Sequence, residues 1–241
     1  MTIDIEHTAT AFANARLNAQ GLLNYPGLQP TTMAPAYAMQ DQIVRHIGQP
    51  IGGWKVGRIP QMQAEALGSD RLSGPIFEAF VHIVATDEVR EVPIYAEGFA
   101  AALIDDIRVG IEIASPPLFV GINDNGAAVT ASDLGNTKAL VIGTAIDLAN
   151  ESDYTDWQVT LGIDGVQIGE GQARDLPDGS IGAVRFLLEH LAVRGIALTA
   201  GQWVSTGAIT GVHQAKAGQN VVARFGDKYT VSCKVGAAQP I

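Results

Sequence analysis

The chain has 241 residues, of which 47% are hydrophobic and 17% are charged, and 25 acidic against 15 basic residues give it a net charge of −10. This length is enough for a domain with a large buried core. A chain with so few cations lacks the basic patch that replaces counterions, which argues against a nucleic-acid or anionic-membrane partner.

The N-terminus and the cysteine content indicate a cytoplasmic protein. The opening MTIDIEHTATAFANARL contains early acidic residues and lacks the apolar core of a signal peptide. No stretch reaches the roughly 18 consecutive apolar residues of a membrane span. The single cysteine, Cys233, excludes an intramolecular disulfide framework and suits a reducing compartment. The high apolar content predicts that some surface is buried in a homo-oligomer.

The first 50 residues carry a helical pattern. Apolar spacing predicts amphipathic helices over 8–24 and 36–47, the second of them ending at Gly48. Pro50 prevents that helix from continuing, and GGWKVG begins a strand. We therefore expect residues 1–50 to form an N-terminal helical segment that packs on the main domain.

Residues 51–241 contain mostly short β-segments. FVHIVA, REVPIY, FAAAL and ALVIGTAI predict strands, whereas DIRVGIEIA fits either a strand or a helix. Apolar alternation on both sides of Asp164-Gly165 predicts a β-hairpin. One more helix is expected over 180–194. The pattern indicates an α+β fold, with a mixed β-barrel or sandwich and peripheral helices in one β-rich domain.

Two charged residues lie in apolar strands. Lys55 stands between Trp54 and Val56 in IGGWKVGR, so it either reaches solvent at a sheet edge or points into a site. Glu112 lies in VGIEIASPPL, where an unpaired carboxylate is costly. Structural burial and a functional role both remain open for Glu112.

Other polar residues have plainer interpretations. Asp133 in SDLGNTKAL is interpreted as an Asx-turn residue in a loop, and Cys233 as a structural strand residue. Thr206 in VSTGA lies at a strand-to-turn junction, where its hydroxyl either meets an anion or belongs to an ordinary turn. The five histidines lack metal-binding spacing, and no phosphate-binding glycine loop or GxSxG motif occurs.

An ordered set of short motifs resembles one known family. AYAMQDQIV, GGWKVG, GPIF, VGIEIASPPL, SDLGNTKALVIG and LTAGQWVSTGAITG, followed by AGQNVVARF, occur in this order over nearly the whole chain. Together they resemble the fumarylacetoacetate hydrolase superfamily and, within it, the 2-keto-4-pentenoate hydratase branch. The resemblance implies that family's mixed β-barrel or sandwich fold and a catalytic role for the β-rich domain.

The resemblance also implies a site for a 2-oxo acid and a divalent cation. Lys55 would face the active site and act with Glu112 in catalysis. Glu112 would also bind Mg²⁺ or Mn²⁺, which would activate the 2-oxo group as a Lewis acid. Thr206 and Gly207 would hold the substrate's carboxylate, and Asn136 would line the pocket. The Lys55 ammonium would stabilise developing charge or transfer a proton.

The sequence departs from the family at the metal site. Relatives carry a Glu-x-Glu motif a few residues after a GFAA-like run, followed by a third glutamate. Here the segment from Gly98 to Glu112 lacks that motif, because Glu97 precedes the run and Asp105-Asp106 lack the spacing. Two of the three usual carboxylate ligands are therefore not found.

The function that the resemblance implies is a metal-dependent hydratase. It would add water to a small 2-hydroxy-dienoate or 2-oxo-alkenoate, as in the meta-cleavage catabolism of aromatic compounds. Two alternatives remain open. One is a decarboxylase that acts on a 2-oxo diacid, and the other is a degenerate member that binds a ligand without catalysis.

Overall fold

A computed structural model describes residues 3–85, 88–95, 98–105, 108–118, 126–176 and 178–239, with the backbone alone over 98–105. Its α-helices are α1 Ile5–Leu17, α2 Met33–Ile47, α3 Gln61–Leu67, α4 Gly126–Ser132 and α5 Gly179–Val193. Its strands are β1 Ile51–Arg58, β2 Arg71–Phe77, β3 Val81–Ile83, β4 Val89–Ile94, β5 Gly98–Asp105, β6 Arg108–Ala114, β7 Thr137–Ala145, β8 Val159–Ile163, β9 Val166–Gly171, β10 Trp203–Ser205, β11 His213–Ala215, β12 Asn220–Phe225 and β13 Tyr229–Ala237. None of the helices in these ranges is long and apolar enough to cross a membrane.

The three predicted helices form with shifted ends, and two short helices, α3 and α4, occur that the sequence patterns did not predict. The helix predicted over 8–24 begins earlier, at Ile5, where Asp4 accepts a hydrogen bond from the His7 backbone N–H at 3.0 Å. It also ends earlier, at Leu17, because Ala19 adopts a positive φ of 52° that no helix can continue through. Helix α2 ends at Gly48 as expected.

The strand predictions are also settled by the backbone. Of DIRVGIEIA, which fitted either a strand or a helix, the described part Arg108–Ala114 forms strand β6 with antiparallel partners β5 and β7 on its two sides. Asp164 and Gly165 have φ values of 48° and 81°, as a type I′ turn requires, and they join β8 to β9. The α+β class with mixed sheets is confirmed.

The strands form three sheets. Their orders are β10-β1-β2, β11-β5-β6-β7-β3 and β4-β13-β12-β8-β9. The two five-stranded sheets face one another, and the largest buried cluster fills the space between them. Inward-facing residues of β6 and β7, such as Ile111, Ile113 and Val141, meet those of β8, β12 and β13 there, such as Leu161 and Phe225.

The three-stranded sheet is buried on both faces. Trp54 and Val56 of β1 pack against α5 in one buried cluster. Because successive strand side chains point to opposite faces, Lys55 points the other way, toward the sheet that contains β6. The same alternation turns Glu112 away from the core that receives its two isoleucine neighbours. Each side chain is thus aimed at the space between β1 and β6.

Candidate active site

Lys55 and Glu112 meet between these two sheets. The Lys55 Nζ lies 3.0 Å from the Glu112 Oε1, and their side chains are only 14% and 7% exposed. This contact is not aligned as a hydrogen bond, so Oε1 accepts none from the described residues. Burial of an acid in an apolar strand is therefore compensated by a cation from a different sheet.

Strand β10 supplies a second partner for the same carboxylate. Ser205 lies beside Lys55 in the parallel pairing of β1 with β10. The Ser205 hydroxyl donates a hydrogen bond of 3.0 Å to the Glu112 Oε2. The sequence analysis missed Ser205, although it directly precedes Thr206 in the motif VSTGA. Its hydrogen bond keeps the carboxylate turned toward Lys55.

Thr206 and Gly207 follow β10 at the point where the chain leaves the sheet. Thr206 is buried, and Gly207 has a φ of 136°, a conformation that residues with a side chain rarely adopt. Both line the same cavity as Lys55 and Glu112. The predicted strand-to-turn junction is therefore at the cavity wall.

Asn136 belongs to an unusual left-handed turn. Leu134, Gly135 and Asn136 have successive φ values of 54°, 66° and 63°. For Leu134 this conformation costs about 1–2 kcal/mol, whereas glycine and asparagine adopt it more readily. Gly74 of β2 allows the turn to approach, since a Cβ at Gly74 would lie 2.0 Å from the Leu134 carbonyl oxygen. The turn places Asn136 against the cavity, almost fully buried.

Together these residues line a cavity of about 580 Å³. This size suits a small molecule. Besides the five residues already predicted, the cavity wall contains polar side chains that the sequence analysis missed, namely Arg58, Gln63, Asp70, Arg71 and Thr130. The structure thus brings Lys55, Glu112, Asn136, Thr206 and Gly207 to one site, and every one of them is among the described residues.

Asp133 differs from its predicted role. It was interpreted as an Asx-turn residue, but its carboxylate forms a buried ion pair with Arg16 at 2.6 Å. Burial raises the pKa of the Asp133 carboxyl, and the Arg16 charge opposes that shift. The Asx-turn interpretation is therefore wrong, because it considered only neighbours in sequence and the partner lies 117 residues away.

Comparisons with known proteins agree with this architecture. The 4-oxalocrotonate decarboxylase from Pseudomonas putida G7, complexed with magnesium and adipate, is similar in structure with a TM-score of 0.77 and 18% identity, over 96% of this chain and 97% of that chain. The same enzyme complexed with calcium and acetate gives a TM-score of 0.71 over 96% of each chain, also at 18% identity. The fold is that of the fumarylacetoacetate hydrolase superfamily.

A less similar solved structure shares the fold over part of its length. The 2-hydroxyhepta-2,4-diene-1,7-dioate isomerase from Mycobacterium marinum matches with a TM-score of 0.50 and 16% identity, over 78% of this chain and 77% of that chain. No family model matches the sequence. No curated protein matches it either. The likeness is therefore one of fold.

The described residues do not by themselves complete the expected metal site. In the part of the chain that the structure describes, no three His, Cys, Asp or Glu residues lie close enough to hold an ion. Glu112 is a buried carboxylate whose Oε1 lacks a hydrogen bond, but Mg²⁺ prefers several oxygen ligands. Glu97, Asp106 and the side chain of Asp105 lie outside the described residues.

Lys138 is a buried cation close to the site. It follows the Asn136 turn, and its Nζ lies 4.1 Å and 5.3 Å from the ring centroids of Phe80 and Tyr95. Burial, together with the Arg16 charge, lowers the pKa of Lys138 to about 7. Cation–π contacts stabilise its charged form only partly.

Lys138 makes stability depend on pH. Its pKa falls from 10.5 in the unfolded chain to about 7 in the folded protein, so between these values the unfolded state binds more protons. The free energy of unfolding should then rise with pH by up to about 1.4 kcal/mol per unit. Urea unfolding from pH 7.5 to 9.0 should show this rise relative to Lys138→Met. Parallel profiles for the two proteins would contradict the assignment.

Proposed function

We propose that this protein is a lyase of the hydratase type that adds water to a small 2-oxo-alkenoate, or to the 2-hydroxy-dienoate from which that compound forms. The observation that carries the proposal is the Lys55–Glu112 pair, 3.0 Å apart at the wall of a cavity of about 580 Å³. An ammonium and a carboxylate so placed can stabilise an enolate and transfer protons at the same substrate.

The two side chains have complementary roles in this reaction. In a 2-oxo-3-alkenoate, the oxygen of water bonds to C4, and the C3–C4 π electrons move toward the 2-oxo oxygen. Glu112 accepts the proton that the water loses. The Lys55 ammonium faces the negative charge that forms on the 2-oxo oxygen. Return of a proton to C3 then completes the addition.

The remaining residues would bind the substrate. The Thr206-Gly207 junction carries a hydroxyl and backbone N–H groups beside the cavity, which suit the substrate's carboxylate. Asn136 can donate and accept hydrogen bonds through its amide. The Ser205 hydroxyl holds the Glu112 carboxylate from the other side. These contacts would fix the substrate so that C4 lies close to Glu112.

A decarboxylase of a 2-oxo diacid is the second candidate. Arg58 and Arg71 lie directly opposite one another on β1 and β2, and both line the cavity. Like charges in this position destabilise a sheet, although Asp70 lies 3.6 Å from Arg71. An anionic group of the ligand would offset this repulsion. The structural likeness to 4-oxalocrotonate decarboxylase is consistent with that reading.

The decarboxylase would use the same electron sink. Loss of CO₂ from the distal carboxylate sends an electron pair through the conjugated C=C to the 2-oxo oxygen, where Lys55 faces the charge. The two candidates therefore differ in substrate more than in machinery. Both candidates would use Lys55 and Glu112, so an activity assay is needed to distinguish them.

The test is a substrate panel with purified protein. Disappearance of the diene absorbance of 2-hydroxypenta-2,4-dienoate reports hydration, and CO₂ release from 4-oxalocrotonate reports decarboxylation. Each assay is run with Mg²⁺, with Mn²⁺ and with EDTA, on the unaltered protein and on Glu112→Gln. We expect hydration with Mg²⁺ or Mn²⁺, and a loss of about 10²-fold or more in Glu112→Gln, as for removal of a general base.

Three results would overturn the hydratase proposal. Decarboxylation without hydration would transfer the assignment to the second candidate. Calorimetric binding of oxalate without turnover of either substrate would indicate a ligand-binding protein. The absence of both binding and turnover would exclude the 2-oxo-acid class of substrates.

Hydration that is undiminished in EDTA would support the hydratase reaction but show that it does not require a metal ion.

A further inference from the structure

The left-handed turn at Leu134–Asn136 is held by a residue from the first helix. Arg16 lies in the last turn of α1, and its guanidinium is buried beside this turn. Its Nε and Nη2 donate to the Asp133 Oδ1 at 3.0 Å and 2.6 Å. One end of the turn is thereby fixed through a side chain.

The same guanidinium also binds the backbone at both ends of the turn. Its Nη2 donates to the Asp133 carbonyl oxygen at 3.2 Å, and its Nη1 donates to the Thr137 carbonyl oxygen at 3.0 Å. Asp133 precedes the three left-handed residues and Thr137 follows them. The planar, multi-donor guanidinium is suited to such a contact, which a lysine could not reproduce.

The turn borders the candidate site at two points, the cavity wall and the Lys55 side chain. Asn136 lines the cavity. A Cβ at Gly135 would lie 3.4 Å from the Lys55 Cδ, so the turn also borders the aliphatic part of the Lys55 side chain. Any shift of the turn would therefore move Asn136 and change the packing around Lys55 together.

We propose that Arg16 is a positioning residue, which holds the left-handed turn so that Asn136 faces the cavity beside Lys55. Leu134 disfavours this conformation by itself, so contacts from outside the turn must help to maintain it. The inference about the turn stands on contacts alone. Its consequence for catalysis rests on the proposed function of the pocket.

A merely stabilising ion pair is the alternative, and Arg194 provides a matched control. Arg194 of the α5 C-terminus is 10% exposed, pairs with Asp41 and donates to the Gln40 side chain at 3.1 Å. Its side-chain contacts are with Tyr37, Gln40, Asp41 and His190, outside residues 133–137, and it does not line the cavity. Arg194→Met should therefore remove an ion pair of a largely buried arginine, whose partner Asp41 is 37% exposed, without releasing the turn.

Hydrogen exchange of two backbone amides measures directly how well the turn is held. The Asn136 N–H bonds to the Asp133 carbonyl oxygen at 2.8 Å, and the Thr137 N–H bonds to the Leu134 carbonyl oxygen. In Arg16→Met these two amides should exchange at least about 10-fold faster under native conditions, while amides of the β12–β13 hairpin stay protected. Arg194→Met should leave the two turn amides at their original rates.

A double-mutant cycle tests the consequence for the pocket. Arg16→Met should lower kcat/KM about 10-fold or more in the otherwise unaltered protein, but less than about 2-fold in an Asn136→Ala background, because the two residues act through one element. Equal effects in both backgrounds would show that Arg16 does not act through Asn136. Unchanged turn amides in Arg16→Met would overturn the positioning role itself.

Two precautions keep the outcomes separate. If Arg16→Met does not fold, Arg16→Lys retains a charge for Asp133 but cannot bind both ends of the turn, so it should show the same local exchange. If the unaltered protein turns over neither substrate, the proposed function fails while the exchange experiment still decides the role of Arg16.

Discussion

Replacing Lys55 with methionine is expected to lower kcat/KM by about 10²–10⁴-fold, the range associated with loss of a positioned acid–base group. Methionine keeps the length of the aliphatic stem and removes the ammonium that lies 3.0 Å from Glu112. The loss should be measured with whichever substrate the panel identifies. Turnover within about 3-fold of the unaltered protein would contradict a catalytic role for Lys55.

Two control variants separate catalysis from stability in this experiment. Lys55→Met leaves the buried Glu112 carboxylate without its cation, which should also destabilise the fold. The double variant Lys55→Met/Glu112→Gln removes both charges, so it should recover stability in urea unfolding without recovering activity. Lys234→Met, at an exposed position of β13, should leave both properties unchanged. Recovery of activity in the double variant would indicate a purely structural pair.

Replacing Gly74 with alanine is expected to destabilise the protein by about 1–3 kcal/mol, as overpacking of a buried site does. The new Cβ would lie 2.0 Å from the Leu134 carbonyl oxygen and 2.8 Å from the Gly135 nitrogen. Both are backbone atoms, so the contact cannot be relieved by rotation of a side chain. Because the displaced turn carries Asn136, activity should fall as well.

Gly162→Ala is the matched control for this substitution. Gly162 also lies within a strand, β8, but the nearest atom to an added Cβ is the Val166 carbonyl oxygen at 3.5 Å, an ordinary contact. We expect urea unfolding to show a change within about 1 kcal/mol for this variant. Similar stability losses for both substitutions would show that close approach of the turn is not what requires glycine at position 74.

Once β1 and β6 are known to be strands, their two-residue period explains which side chains leave the core. In GIEIA the two isoleucines and the glutamate must occupy opposite faces of a strand, and the structure buries Ile111 and Ile113 in the sandwich and turns Glu112 away from it. The same reasoning applies to Lys55 between Trp54 and Val56. These placements require only the two-residue repeat of a strand.

Interpretation from neighbouring residues was wrong where the partner of a side chain is distant in sequence. SDLGN has the composition of a turn, which suggested that Asp133 binds its own backbone. The carboxylate instead binds Arg16, and nothing in the neighbourhood of Arg16 in the sequence indicates that pairing. The approach of Gly74 to Leu134 is equally invisible in sequence, since its distance depends on how β2 packs against the turn.

The sequence by itself determined the α+β class, the β8–β9 hairpin, and the opposite faces of β1 taken by Lys55 and its neighbours Trp54 and Val56, because these follow from steric preferences and repeats within a few residues. The tertiary structure alone decided what those faces meet. It brought Lys55 and Ser205 from two other strands to the Glu112 carboxylate, and it closed the Asn136 turn with an arginine from the first helix. Such pairings depend on the packing of whole sheets and helices, whose relative positions are set by the burial of surfaces and not by any single segment.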